Sequence, residues 1–298
     1  MHSCSKNIVK FLIVALTCSV VGAQAGEVFK YKDEHGKWVF TDKQPTSSKS
    51  EKLSYRAKES KKLKPKLYIE TIDTENFLQV ENPFFAPVEI EITSESFPAG
   101  KIIKVIPAKS IATLFTSKKS IAAYRVRWLL GDPTANEQAY NYSFPVFSRM
   151  PHTITQSFNG PFSHNNTYSR YAVDIGMKVG TYIAAARAGT VVSVKEDYHM
   201  SGTSNYFLDK ANYVMVMHDD GTYATYAHIL LGTAMVKPGD RVEVGERLAR
   251  SGSSGFSTGP HLHFVIHKNI GFKWVSIPFN FIDDKGNGCG SFLTTQKH

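Results

Sequence analysis

Two histidines that lie two positions apart are the first candidates for chemistry: His261 and His263, in the segment HLHFVIH. The segment is apolar and contains β-branched residues, which predicts a strand rather than a helix. Side chains alternate along a strand, so both imidazoles should point to one face and Leu262 and Phe264 to the other. Such a pair can hold a metal ion, or place one metal ligand beside a catalytic base. The pattern alone fits a half-exposed strand equally well.

A loop rich in glycine and serine leads directly into this strand. Its sequence is SGSSGFSTGP, residues 251–260. Glycine allows the backbone to come close to a ligand, and loops on a rigid scaffold often carry binding residues. The loop and the strand together therefore favour a functional site over a chance pair of histidines.

The combined block SGSSGFSTGPHLHF resembles the signature of the lysostaphin-type (LytM-like) zinc metallopeptidases, which cut peptide bonds in bacterial peptidoglycan. Other segments resemble elements of the same family in the expected order. They are YAVDIG at 171–176, AAARAGTVV at 184–192, YAHI at 226–229 and VKPGDRVEVG at 236–245. The resemblance spans residues 150–285, about half of the chain.

The resemblance implies a role for four residues of this chain. Asp174 and His263 match metal ligands, which implies one zinc ion (Zn2+) per chain. His228 and His261 match catalytic residues that lie beside the metal without binding it. One of the two can act as a general base and the other can stabilise the oxyanion, and the sequence does not assign these roles.

One position departs from the family pattern. The family's first ligand is usually a histidine four residues before the aspartate, and this chain has Arg170 there. Arginine keeps its proton and cannot bind a metal. His164 is the nearest candidate and is assigned to the ligand role, with His152 as the alternative. His164, Asp174 and His263 would give three protein ligands and an open fourth position, which is typical of catalytic zinc.

Three other interpretations remain open from the sequence. His164 is an ordinary loop residue if the site has lost a ligand. A non-catalytic member of the family would instead activate other cell-wall hydrolases. Two histidines and a carboxylate also form the facial triad of iron oxygenases, but the glycine-rich loop and the secretory route below argue against it.

The amino terminus has the pattern of a secretory signal peptide, residues 1–25. Lysines precede an apolar run at 11–21, and AQA at 23–25 offers a cleavage site between small residues. We therefore expect secretion across the inner membrane to the periplasm or cell envelope, with no transmembrane helix after cleavage. Cleavage leaves Cys289 as the one cysteine, so the mature chain is expected to have no internal disulfide.

Residues 26–45 are predicted to form a small β-hairpin module, and residues 46–66 a basic linker. Between 43 and 66 there are nine Lys or Arg and two Glu, in a chain of net charge +9. This cationic stretch suits an anionic envelope surface, although it also fits a solvated tether. Nucleic acid is not expected as a partner behind a signal peptide.

The remaining chain is predicted to be mostly β. Short alternating strands indicate a β-sandwich-like domain at 67–149, expected to act in targeting or gating near the peptidase groove. An antiparallel β-sheet peptidase domain follows at 150–285, with a tail at 286–298. His218 ends a predicted strand, and we expect it to be solvated.

Overall fold

The computed structural model describes residues 26–32, 38–41, 50–55, 63–147, 152–282 and 288–289. The predicted signal peptide and nearly all of the predicted tail lie outside the described residues. Within them the chain forms β-strands and one 3-10 turn, at Asn205–Phe207, and no α-helix. The prediction of a mostly β protein is confirmed. No helix in this part of the chain is long and apolar enough to cross a membrane.

The amino-terminal strands form a small antiparallel sheet. They are β1 (Gly26–Lys32), β2 (Trp38–Thr41) and β3 (Glu51–Tyr55), in the order β2-β1-β3. The third strand differs from the expectation, because it comes from the predicted linker. Leu53 and Tyr55 alternate with polar residues there, which is a strand pattern.

The next six strands form two three-stranded antiparallel sheets, β4-β5-β8 and β7-β6-β9. Inward side chains from the strands of both sheets meet in one apolar cluster, which includes Leu78, Ile90 and Ile106. The alternation of apolar and polar residues along each strand produces this shared core. The strands are β4 (Lys66–Ile72), β5 (Glu75–Glu81), β6 (Val88–Thr93), β7 (Lys101–Ile106), β8 (Ile111–Ser117) and β9 (Arg125–Leu130).

The largest sheet contains eight antiparallel strands in the order β11-β12-β21-β17-β16-β14-β18, with β22 paired to β21. Short strands at its margins form the pairs β13-β19, β15-β20 and β10-β23, and β24 pairs with β23. Two of these pairs, β10-β23 and β15-β20, are parallel. The strands are β10 (Asn141–Tyr142), β11 (Thr153–Gln156), β12 (Val173–Gly176), β13 (Tyr182–Ala184), β14 (Gly189–Lys195), β15 (Ser201–Gly202), β16 (Tyr213–Met217), β17 (Tyr223–Ala227), β18 (Arg241–Val242), β19 (Arg247–Arg250), β20 (Gly255–Phe256), β21 (His261–Asn269), β22 (Trp274–Ile277), β23 (Asn280–Ile282) and β24 (Gly288–Cys289).

The two larger units meet at the carboxyl end of β21. Glu89 on β6 is almost fully buried, and its Oε2 accepts hydrogen bonds from Asn269 Nδ2 at 2.8 Å and from the Phe272 backbone N at 2.7 Å. The guanidinium of Arg127 lies 4.1 Å from the centre of the Phe272 ring. A buried carboxylate is stable only with such donors, so these contacts join the β-sandwich to the β21–β22 turn.

His218 does not lie on the solvated surface as expected. It is 1% exposed, its Nδ1 donates to the Ala188 carbonyl at 3.0 Å, and its ring packs against Tyr142. Burial lowers the pKa of His218 to about 4. The residue is therefore a neutral part of the core, because the segment before β11 covers the end of β16.

Candidate active site

The site is built on the pairing of β12 with β21. Asp174 lies directly opposite His263 in the register. Residues that are opposite in an antiparallel pair project from the same face, so the carboxylate and the imidazole meet. On the other face Leu262 and Phe264 are fully buried in the apolar core, which fixes the strand beneath the site.

His164, Asp174 and His263 come together in one cluster. Asp174 Oδ1 lies 2.8 Å from His263 Nδ1 and 3.3 Å from His164 Nε2. The two histidine nitrogens are 3.4 Å apart. These three residues are the one group of His, Cys, Asp or Glu within the described ranges whose ligand atoms are placed to hold a metal ion.

The loop between β11 and β12 delivers His164, which is 0% exposed. Its Nδ1 lies 2.9 Å from the Ser157 carbonyl, which directs Nε2 toward the cluster. The hydroxyl of Ser169 donates to the Ser163 carbonyl at 2.6 Å and closes the loop on itself. His164 is thus held by its own loop and not by a strand of the sheet.

Asp174 is ionised in this setting. Burial acts to raise its pKa, but hydrogen bonds from His164 and His263 outweigh burial, and the pKa of Asp174 lies well below its usual range. Gln156 Nε2 donates to the second carboxylate oxygen at 3.1 Å. The cluster therefore presents one negative charge and two imidazoles.

The chemistry and spacing of this donor set fit zinc. Nitrogen and carboxylate oxygen are common zinc ligands, and ligands about 2.0–2.1 Å from a tetrahedral zinc lie about 3.3 Å apart. Two of the three separations between His164, Asp174 and His263 are 3.3 and 3.4 Å, and the third is 2.8 Å. A zinc ion held by these three atoms would keep a position free for other ligands.

His228 follows the end of β17 and has a left-handed backbone, with φ of 64°. Its Nδ1 lies 2.6 Å from the Ser254 carbonyl, and its ring centre is 4.5 Å from that of His261. Burial, together with the charges of His261 and His263, lowers the pKa of His228 to about 3. The neutral ring donates through Nδ1, so its Nε2 carries a lone pair.

His261 has the same arrangement of partners. Its Nδ1 lies 2.8 Å from the Gly259 carbonyl, and its Nε2 is 3.8 Å from Asp174 Oδ1. Burial lowers the pKa of His261, and the nearby Asp174 carboxylate opposes that shift. The neutral His261 and His228 rings are therefore both hydrogen-bond acceptors at Nε2.

Two glycines of the loop before β21 allow this close packing. A Cβ at Gly252 would lie 2.9 Å from the Leu230 backbone N and 3.1 Å from the His228 carbonyl. Gly255 has φ of +82°, and a Cβ there would collide with the backbone of Ala211. Larger residues at these positions would displace the Ser254 carbonyl that holds His228.

A cavity of about 540 Å³ opens over the cluster. Asp174, His228, His261 and His263 contribute to its floor, and the other lining residues come from segments 155–169, 208–227, 256–258 and from residue 265. Among the described residues, none of 63–147 lines this cavity, so the β-sandwich does not form part of its wall. The sandwich contacts Asn269. That residue is eight positions from His261, about 26 Å along an extended strand.

Two segments of the chain match known families. The model of peptidase family M23 matches residues 168–273. The chain contains an M23 domain. A second match, to a domain of unknown function (DUF4124), covers residues 15–66 and includes β1, β2 and β3. The resemblance to lysostaphin-type peptidases that the sequence motifs indicated is confirmed.

Several curated relatives are similar to part of this chain. An uncharacterized metalloprotease of Haemophilus influenzae is 34% identical over 146 residues, 45% of this chain. Peptidoglycan DD-endopeptidase ShyC of Vibrio cholerae is 31% identical over 154 residues, 47% of this chain. Glycyl-glycine endopeptidase ALE-1 of Staphylococcus capitis is 33% identical over 127 residues, 42% of this chain. The matches cover between 28% and 33% of the length of these relatives.

Two solved structures of bacterial proteins are also similar to part of this chain. A mutant catalytic domain of the prophage-encoded M23 protein EnpA from Enterococcus faecalis is 26% identical, with a TM-score of 0.34. That alignment covers 45% of this chain and 92% of the other. Lysostaphin from Staphylococcus simulans is 30% identical, with a TM-score of 0.29, and 44% of this chain and 43% of that chain are covered.

The family match begins after His164, so the assignment of this residue to the site rests on its position in the structure alone. Arg170, at the usual ligand position, is exposed, and its backbone N donates to the Asn166 carbonyl. His152 packs near Phe144 and is not a member of the cluster. The structure therefore places His164, and neither Arg170 nor His152, beside Asp174.

His267 is a supporting residue that the sequence analysis did not identify. It is 0% exposed, its Nε2 lies 2.8 Å from the Tyr168 carbonyl, and its ring packs against the Tyr168 ring. Ser276 fixes the preceding carbonyl, that of Thr167, through its backbone N at 2.9 Å. The loop that carries His164 is thus anchored to β21 and β22. The available signal in the sequence was the strand alternation, which places His267 on the same face of β21 as His261 and His263.

Replacing His267 with leucine is expected to weaken zinc binding about ten-fold, because partners behind metal ligands contribute about 10–100-fold to affinity. His267→Gln should keep most of the affinity, since the glutamine amide can donate to the Tyr168 carbonyl. Competition with a chromophoric chelator measures both constants. Wild-type zinc affinity in His267→Leu would show that His267 does not position the loop.

Proposed function

We propose that this protein is a secreted zinc endopeptidase that hydrolyses peptide bonds in the cross-links of bacterial peptidoglycan. The observation that carries the proposal is the cluster of three zinc-type ligands beside one cavity whose lining includes two neutral histidines, His228 and His261. The M23 match supports this reaction class, and the relatives include peptidoglycan DD-endopeptidase ShyC and a glycyl-glycine endopeptidase.

His164, Asp174 and His263 would hold the zinc ion. Bound zinc supplies Lewis acidity, which acidifies a water molecule and polarises the scissile carbonyl. The Asp174 carboxylate neutralises part of the cation charge, and the Ser157 carbonyl behind His164 orients its ring as a ligand. Such support keeps a ligand in one tautomer and one orientation.

His261 is proposed as the general base at Nε2. Its Nδ1 proton is engaged by the Gly259 carbonyl. Nε2 is therefore free to take a proton from the attacking water. Asp174 Oδ1 at 3.8 Å stabilises the imidazolium that results. The same nitrogen can then return the proton to the leaving amine.

His228 is proposed to orient the reacting groups. Its Nδ1 is bound to the Ser254 carbonyl, which leaves Nε2 as a hydrogen-bond acceptor, and the residue lines the cavity. An acceptor at this position can hold the second proton of the water and set the direction of attack. His228 stabilises an oxyanion only after it gains a proton itself.

The substrate and compartment follow from the same proposal. The cavity of about 540 Å³ has the size of a site for several residues of an extended peptide. The predicted signal peptide directs the enzyme to the periplasm or envelope, and the basic stretch at 43–66 suits an anionic envelope surface.

Digestion of purified peptidoglycan sacculi tests the function. The zinc-loaded protein should release fragments whose masses show a new amino and a new carboxyl terminus at a peptide bond. Intact sacculi after incubation with zinc-loaded protein would contradict the enzyme and favour a non-catalytic regulator of other cell-wall hydrolases.

A further inference from the structure

A stack of alternating aromatic rings and guanidinium groups lies on the surface formed by β13, β19 and the segment before residue 148. Arg247 Cζ is 4.3 Å from the ring centres of both Phe147 and Tyr182. Arg250 Cζ is 4.2 Å from the Tyr182 ring centre. The order is Phe147, Arg247, Tyr182, Arg250, and we call these four residues the arginine stack. Stacking on rings holds each guanidinium in a defined plane.

The two guanidiniums of the arginine stack have no carboxylate partner in the part of the chain that the structure describes. Arg127, Arg187 and Arg241 differ, since each forms an ion pair with an acidic residue. The carboxylate of Glu246, beside Arg247 in sequence, accepts a hydrogen bond from the Glu243 backbone N at 3.0 Å. The positive charge of the stack is therefore not neutralised by a neighbouring acid.

The backbone of β19 connects the arginine stack to the site. After Arg250, Ser251 bridges to Ile229 and Gly252 bridges to His261. Arg250 thus lies two residues before Gly252, which pairs with His261, the first residue of β21. None of the four residues lines the cavity over the cluster, so the stack lies beside the peptide site and outside it.

We propose that the arginine stack binds a free carboxylate of a neighbouring peptide of the peptidoglycan polymer while the peptide to be cut occupies the cavity. This inference rests on the proposed function. Arg250 already donates from Nη1 to the Gly180 carbonyl and from Nη2 to the Tyr182 hydroxyl. Arg247 is therefore the member of the stack that offers its N–H fork to a carboxylate, in charge-assisted hydrogen bonds. The ring of Phe147, which is 51% exposed, provides a flat apolar surface for a sugar ring.

Binding of metal-free protein to purified sacculi tests this surface without requiring hydrolysis. The variants are Arg247→Gln and, as a matched control, Arg241→Gln. Arg241 is an exposed arginine that is paired with Asp219, and both substitutions remove one positive charge. Pelleting the sacculi over a range of protein concentrations gives the dissociation constant.

The dissociation constant should rise about five-fold for Arg247→Gln, the loss expected for one partly exposed ion pair, and stay near the wild-type value for Arg241→Gln. Arg247→Lys, which keeps the charge and lacks the planar fork, should bind less tightly than wild type. Equal weakening in the two glutamine variants, or full binding by Arg247→Lys, would overturn the proposal, since net charge would then explain the affinity.

Vesicles with anionic phospholipid distinguish a lipid surface from the polymer. The two glutamine variants should bind such vesicles equally well. Selective loss of vesicle binding in Arg247→Gln, with sacculus binding retained, would assign the arginine stack to lipid and overturn the proposal. The binding assay uses metal-free protein, whereas the digestion assay uses zinc-loaded protein. Failure to bind sacculi would contradict the role of the arginine stack, and failure to digest them would contradict the proposed enzyme.

Discussion

Replacing His164 with alanine is expected to remove zinc from the protein and to abolish hydrolysis of peptidoglycan. The substitution deletes one of the three proposed zinc ligands. The Nε2 atom of His164 lies 3.3 Å from Asp174 Oδ1. Loss of a partner behind a ligand costs about 10–100-fold in affinity, so loss of the ligand itself should cost more than about 100-fold. Zinc per chain, measured by elemental analysis after dialysis, should fall from one to nearly none.

Two controls separate this loss from a general effect of mutation. Arg170→Ala alters the usual ligand position of the family, and His152→Ala alters the alternative candidate. Both variants should keep one zinc per chain and their activity, because neither side chain belongs to the cluster. A His164→Ala protein that retains full zinc, or an Arg170→Ala protein that loses it, would contradict the ligand assignment.

The second large effect is expected at His228 and His261. Alanine at either position should leave one zinc per chain and lower the rate of hydrolysis by about 10²–10⁴-fold, the range for a general acid or base. The two residues hold their Nδ1 atoms against backbone carbonyls, which leaves Nε2 as the nitrogen that can exchange a proton with the reacting groups. Zinc content and the initial rate of sacculus digestion, measured on the same sample, show whether activity is lost while zinc is retained.

His199 provides a matched control for these substitutions. It is an exposed histidine outside the cavity lining, so His199→Ala should retain both zinc and activity. His263→Ala should lose both. Equal loss of zinc in His261→Ala and His263→Ala would show that the division into ligand and catalytic residue is wrong.

Much of this site follows from sequence through simple geometry. Alternation along β21 placed His261 and His263 on one face, and the structure buries Leu262 and Phe264 on the other. The position of Asp174 required more, because the register of β12 against β21 depends on pairing between residues that are far apart in sequence. The family resemblance supplied that information.

The loop and the packing between units could not be predicted in the same way. His164 reaches the cluster through one hydrogen bond to the Ser157 carbonyl and through the anchoring of Tyr168 on His267, and no periodic pattern encodes such contacts. The burial of Glu89 against the β21–β22 turn likewise depends on how two sheets dock. Strand patterns indicate which face of a strand is buried, but not which element covers it.

The most direct test of the central claim is titration of metal-free protein with zinc while hydrolysis of sacculi is followed. The account predicts no activity without metal, a linear rise as zinc is added, and a break at one zinc per chain. Full activity in metal-free protein, or a zinc-saturated protein that leaves every peptide bond intact, would contradict it.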